Sequence, residues 1–233
     1  SESRARRVRP DGTGRENVVA GAGIAGCSAG LVAAVLHLLA VQQLLLLAET
    51  LERGDHAHGA VGAHGMGDDD GHAYSIDWTR NALTLLFFAL TYAGFALVLA
   101  AVMSVRQALP TLRQGILWGL AGFAAVQLAP AFGQPLVPPG LEAAALSPRQ
   151  IWWFATVALT AAGLWTLAFG RGAWAWGGLG LITVPHLGLA PAAVMTATEV
   201  PGTLIALFTA RTLAVSAIAW ATLGGLTAVL LRR

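Results

Sequence analysis

The chain has 233 residues, of which 56% are hydrophobic and only 11% charged, with a mean hydropathy of +0.65. A soluble domain carries about 25% charged residues, so this chain cannot cover its surface with charge and needs a bilayer as solvent for most of its length. All fourteen cationic side chains are arginine, which excludes a Walker A loop and lysine Schiff-base chemistry, and the single cysteine, Cys27, excludes a disulfide framework or a thiolate-rich metal site.

Residues 1–17 are polar and hold five arginines (Arg4, Arg6, Arg7, Arg9, Arg15), as a cytoplasmic tail under the positive-inside rule would. The apolar run that follows is too long for a signal-peptide core of about 7–15 residues, so it is read as a span. Residues 18–233 then form one transmembrane domain of about six spans. Span 1 is Val18–Leu47, with Gly26 and Gly30 four apart, the spacing that lets two helices approach closely. Span 2 is Leu83–Val105. Span 3 is Gln114–Phe132, with Gly115 and Gly119 four apart, and it is expected to stop near Pro130. Span 4, Ile151–Phe169, is opened by Ser147 as N-cap and Pro148 at the first helical position. Span 5, Ala173–Leu189, is short, glycine-rich and broken by Pro185. Span 6 is Pro201–Leu231. The tryptophans, among them Trp78, Trp152, Trp153, Trp174, Trp176 and Trp220, read mostly as an interfacial belt at span ends.

Charge orients the bundle. With six spans and the N-terminus inside, ten arginines lie on the cytoplasmic side and three (Arg53, Arg80, Arg149) outside, while nine of the twelve acidic residues lie outside. The fold expected is therefore all-α, a polytopic transmembrane helix bundle in a bacterial inner membrane.

The polar loop 49–77 between spans 1 and 2 carries four of the six histidines. Imidazole with carboxylate suits borderline divalent ions such as Co²⁺, Ni²⁺ and Zn²⁺. Asp55, His56 and His58 are close enough in sequence to share an ion, and His64, Asp68, Asp69, Asp70 and His72 could complete a second cluster. The intervening glycines permit a chelate without preorganising one, which points to weak, exchangeable capture; a solvated loop with no ion is the plainer reading.

No Asp or Glu lies inside any span, which argues against a carboxylate proton relay. The polar groups left are Arg211, roughly 13 Å into span 6, His37 in span 1, and His186 after Pro185, where a broken helix frees carbonyls. Arg211 must face His37, a glutamine, backbone carbonyls, water or another subunit. Gln42, Gln43 and Gln127 could line a shared polar seam with Glu49, or merely bond helix to helix. No nucleophile–base pair, phosphate cradle or nucleic-acid surface is present, so neither an enzyme nor a nucleic-acid partner is expected.

Several strings resemble the CbtA family of predicted bacterial cobalt transporter subunits: Gln42-Gln43 with Ala48-Glu49, Trp118–Pro130, Arg149–Trp153, Pro185–Pro191 and Val200–Leu204 leading to Trp220. The resemblance runs from about residue 20 to the C-terminus. It implies an integral membrane protein linked to cobalt uptake for cobalamin synthesis, with a small CbtB partner that has its own span and histidines. The arginine-rich tail and His37 depart from that pattern. A cobalt-capturing uptake subunit is thus the leading expectation. The alternative is a structural or assembly subunit of a larger membrane complex, favoured by the lack of any energy-coupling motif.

Overall fold

The computed structural model describes residues 12–47, 78–106, 110–134, 136, 145–191 and 201–232. Among them every regular element is helical. α1 is Gly12–Ala40 and α2 is the short continuation 42–47; α3 is Trp78–Val105 and α4 is Leu112–Phe123. A π-helical turn, Ala124–Leu128, joins α4 to α5, Ala129–Gly133. α6 is Leu146–Phe169, α7 is Ala173–Thr183 followed by a 3₁₀ turn Val184–His186, and α8 is Gly202–Leu230. Five stretches are long and apolar enough to cross a membrane: Glu16–Ala40, Trp78–Val105, Leu112–Gly133, Leu146–Phe169 and Gly202–Leu230. The protein is an all-α membrane bundle, as composition required.

The helices form two compact units, and α1, α3 and α8 each contribute to both. The first unit holds the beginning of α1, the later part of α3, most of α4 and the end of α8. Glycine sets its spacing. A Cβ at Gly26 would meet the Tyr92 carbonyl at 2.6 Å, and one at Gly30 the Phe88 carbonyl at 2.6 Å. Gly115, Gly119 and Gly224 are equally closed, Gly119 lying against the Trp220 carbonyl. The four-residue glycine spacing therefore does what the sequence suggested, bringing α1 onto α3 and α4 onto α8 backbone to backbone. Tyr92, Phe95 and Trp220 fill the space beside these contacts, with ring centroids of Phe95 and Trp220 4.8 Å apart. Gly21 faces Leu230, and Arg232 Nε donates to the Pro110 carbonyl at 2.7 Å. The start of α1, the start of α4 and the end of α8 thus share one end of this unit.

The second unit holds 35–84 and 121–218, so it includes the end of α1, the start of α3, the π turn, α5, α6, α7 and the beginning of α8. Here α6 and α7 form an antiparallel hairpin. A Cβ at Gly163 would meet the Gly178 carbonyl at 2.6 Å, and Trp152 Nε1 donates to the Pro185 carbonyl at 3.1 Å. The expected fifth span, Ala173–Leu189, is helical only to Thr183. Eleven helical residues rise about 16 Å, short of a full crossing. The 3₁₀ turn brings the chain back to the level of Trp152, so α7 still shadows α6 over most of its length.

Span 3, expected to end at Phe132 near Pro130, ends at Gly133; the helix passes through the proline because the π turn just upstream absorbs it. Proline removes one helical N–H, and its ring clashes with the carbonyl four residues back; the wider turn, with Ala129 N–H reaching Ala124 O, relieves that clash. Two local expectations are corrected. Ser147 does not cap α6, whose N-cap is Ala145 with no side-chain cap bond. Of the tryptophans read as a belt, Trp78, Trp174 and Trp176 are exposed, but Trp152 and Trp220 are buried in the packing.

The close approach on α4 makes a prediction. Gly119→Ala drives a methyl into the Trp220 carbonyl and lowers the melting temperature in detergent, by the equivalent of about 1–3 kcal/mol. Gly94→Ala in α3, with nothing within 4 Å of its Cβ position, is neutral or stabilising by up to about 1 kcal/mol in the same assay.

Candidate functional site

The polar groups of the second unit gather where helices break. The first break is at Val41. Leu44 N–H bonds back to Val41 O at 3.0 Å, a three-residue step, so it is not bonded to Ala40 O in the regular helical way. The Ala40 carbonyl is left facing inward, and Arg211 donates to it at 3.0 Å. A cation at a helix C-terminus is favourable, and a backbone carbonyl is the partner available at a depth with no carboxylate. Among the partners expected for Arg211, a carbonyl is the one found. Beside this contact, Gln42 Nε2 donates to Asn81 Oδ1 at 3.5 Å, while Gln43 is exposed. His37 is half-buried one turn before the break.

The second cluster surrounds His186. This residue ends the 3₁₀ turn that Pro185 imposes. Its ring packs edge-on against Trp152, centroids 6.1 Å apart, and against Phe132 at 6.3 Å. The Trp152 indole is 6% exposed; its hydrogen bond to Pro185 O fixes the turn, and the turn fixes the imidazole. His186 is half-buried and makes no hydrogen bond or ion pair among the described residues. A Cβ at Gly133 would meet the Trp152 ring and, at 3.1 Å, the Ala190 side chain.

Deeper along α6 the buried face continues as Thr156 and Thr160, 0% and 2% exposed, neither hydroxyl having a hydrogen-bond partner. The Oε1 of Gln127, inside the π turn, is also buried and unpartnered, as are Gln134 Nε2 and Thr212 Oγ1. Sequence reading pointed to Gln127 but missed Thr156, Thr160, Gln134 and Asn81. The available signal was a pair of threonines four apart in an apolar span, opposite a glutamine three residues before a proline.

The structure does not bring all the expected site residues together. His56, His58, His64, His72, Asp55, Asp68, Asp69, Asp70 and Glu49 lie outside the described residues. Among the described residues no group of three or more His, Cys, Asp or Glu side chains could hold a metal ion, and no hydrogen bond joins His186 to Gln42, Gln43 or Arg211. What the described part offers is one imidazole above a row of neutral oxygens.

A family model, "Probable cobalt transporter subunit (CbtA)", matches residues 16–232. The chain belongs to the CbtA family. Neither the curated proteins nor the solved structures give a significant match. A CbtA protein is a transporter subunit and thus works in a membrane alongside other components. The match spans every helix that builds the two clusters, from Glu16 to Arg232.

One prediction tests how His186 is held. Trp152→Phe keeps an aromatic ring against the imidazole but leaves the buried Pro185 carbonyl without its donor, at a cost of about 1–3 kcal/mol. The melting temperature falls, and cysteine-accessibility labelling at position 187, read in a Leu187→Cys background, rises as the turn loosens.

Proposed function

We propose that the chain is the membrane subunit that captures a divalent cation, Co²⁺ above others, on the 49–77 loop and admits it to the second unit past His186. The bilayer is the bacterial cytoplasmic membrane, with the arginine-rich N-terminus inside and the loop outside, as the asymmetry of arginines and acids favours. His56, His58, His64 and His72, with Asp55, Asp68, Asp69 and Asp70, would bind the ion loosely and hand it on by exchange; Glu49, Gln42 and Gln43 would line the way in. A small CbtB-like membrane partner would complete the assembly, and energy would come from other components, since this chain has no nucleotide-binding loop.

The observation that carries this reading is His186: an imidazole without a hydrogen-bond partner among the described residues, with ring edges toward Trp152 and Phe132, on a broken helix. A structural histidine in a bundle is normally hydrogen-bonded to a neighbouring helix. One held by ring edges alone keeps a nitrogen lone pair for a passing ion, and imidazole suits Co²⁺. A purely structural subunit would need no such residue.

Neutral imidazole binds a metal ion and imidazolium does not, so capture is present above the ordinary histidine pKa of about 6.5 and is lost as pH falls through it. Calorimetric titration with Co²⁺ will show affinity falling below about pH 6.5, and falling at all pH values in the H56A/H58A/H64A/H72A variant. Unchanged affinity in that variant rejects the loop as the capture element. His186→Ala will leave loop binding intact and lower Co²⁺ uptake into proteoliposomes; equal uptake would remove His186 from the path.

A further inference from the structure

The first unit carries an open groove along the flank of its α4–α8 pair. Leu112 and Ile116 of α4 and Ala221, Thr222, Gly225, Leu226 and Val229 of α8 line it, and its volume is about 310 Å³. Sequence spacing explains its shape. The two helices touch along Gly115, Gly119 and Gly224. Beside that seam, Ala221, Gly225 and Val229 stand four apart on one face of α8, and the first two bring almost no side chain to it. A Cβ at Gly225 would meet Leu112 Cδ1 at 3.2 Å and Ile116 Cγ1 at 3.4 Å, so these two side chains form the opposite wall. Leu112 is 55% exposed, which leaves the groove open to the bilayer.

Its length and its end say what fits. From Ala221 to Val229 the helix rises about 12 Å, under half of a hydrocarbon core of about 30 Å. The groove thus starts at the C-terminal end of α8 and stops one leaflet deep. A partner helix would need a contact through the whole span, whereas a phospholipid occupies one leaflet. The end of the groove is cationic. Arg232 N–H bonds to Val229 O at 3.3 Å, which sets Arg232 just past the last lining residue. Its Nε donates to Pro110 O at 2.7 Å, two residues before Leu112, so the guanidinium crosses from α8 to the start of α4. Arg113 follows Leu112 and is exposed. A reciprocal cap fixes that turn: Thr111 N–H donates to Gln114 Oε1 at 2.8 Å, and Gln114 N–H to Thr111 Oγ1 at 3.2 Å. With Arg106 after α3, three arginines stand at this end against Glu16, the one carboxylate among the described residues.

We infer that this groove is a binding site for an anionic phospholipid, with one acyl chain along Ala221–Val229 and the phosphate at Arg232 and Arg113. The apolar walls take the chain, and the guanidinium fork matches a phosphate's oxygens. A zwitterionic lipid would bring its own cation against the arginines, so net negative charge decides which lipid is held. In the orientation proposed above this end faces the cytoplasm, the leaflet whose anionic lipids attract juxtamembrane arginines. A lipid seated here touches both helices and tightens the glycine seam between them. The site lies in the unit away from His186 and does not depend on any ion being carried.

The test uses the full-length chain, delipidated in detergent. It is titrated with phosphatidylglycerol, with phosphatidylcholine of the same acyl chains, and with inorganic phosphate, and read by native mass spectrometry and melting temperature. The expected result is one bound phosphatidylglycerol, preferred over phosphatidylcholine by about thirtyfold, the worth of two arginines at about fivefold each. That lipid raises the melting temperature and inorganic phosphate does not. Ala221→Phe, which fills the inner end of the groove, loses the bound lipid, and Arg113→Gln and Arg232→Gln each lower the preference about fivefold. Equal binding of the two lipids, or equal protection by inorganic phosphate, overturns the inference. So does an A221F chain that keeps its lipid but loses a co-purifying membrane protein or second copy, which would give the groove to a partner helix. Should A221F or R232Q not fold, Arg113→Gln decides, because its side chain is exposed; an unchanged preference in that variant overturns the site.

Discussion

Lipid offers no hydrogen bonds, so every backbone group that leaves a helical ladder inside the membrane must find a partner in the protein. This constraint governs the second unit. Its chain breaks regular α-helix at Val41, at the π turn before Pro130 and at Pro185. At two of the breaks, and in the segment after α5, a side chain supplies the missing donor: Arg211 to Ala40 O, Trp152 to Pro185 O and Thr209 to Leu136 O. The donors come from α8 and α6, so the same bonds that satisfy the breaks also pin one element to another. A broken helix costs about 3 kcal/mol at a proline alone, and satisfying the freed carbonyl recovers part of that. The chain keeps these breaks in a place where unbroken helices would be more stable.

The first unit uses the opposite strategy. Its helices are continuous where they meet, and glycines let backbones touch, so dispersion rather than polar bonding holds it. Gly26, Gly30, Gly115, Gly119 and Gly224 have no room for a methyl group. Buried polar atoms occur here as well, at Trp220 Nε1 and Thr227 Oγ1, but the breaks in regular α-helix named above lie in the other unit.

Much of this was legible in the sequence, and the reasons are specific. Helix class and number follow from apolar runs of about 20 residues, since the bilayer tolerates little else. The glycine pairs foretold close packing because four-residue spacing puts both on one helix face. Span 5 was the uncertain one, and Pro185 explains it: α7 ends two residues earlier. The π turn before Pro130 was not legible, because whether a proline is absorbed by a widened turn depends on what packs against that turn. Here α6 does. Trp152 illustrates the same limit. Next to the exposed Ile151 it looks like an interfacial residue, yet the return of α7 to its level buries it. Thr156 and Thr160 were missed for a related reason: threonine is common in apolar helices, and a pair four apart is a weak signal until the packing shows both buried.

The distribution of charge then explains how capture and passage can belong to one chain. Of twelve carboxylates, seven sit in the 49–77 loop, and among the described residues there is only Glu16, at the start of the first apolar stretch. A carboxylate deep in a path would hold a divalent ion strongly, since two opposite charges at 4 Å interact by roughly 4 kcal/mol even with partial screening, and would slow its release. On the proposed reading, the path beyond Glu49 has no carboxylate and binds weakly. Attraction is left to the loop, where water moderates it and the ion can exchange. Arg211 fits the same logic. Anchored to Ala40 O, its positive charge stays at the α1 break and disfavours a long stay by any cation near it. On the proposed reading, loose and exchangeable binding outside with no carboxylate to hold the ion within is the arrangement that lets an ion be gathered without being trapped.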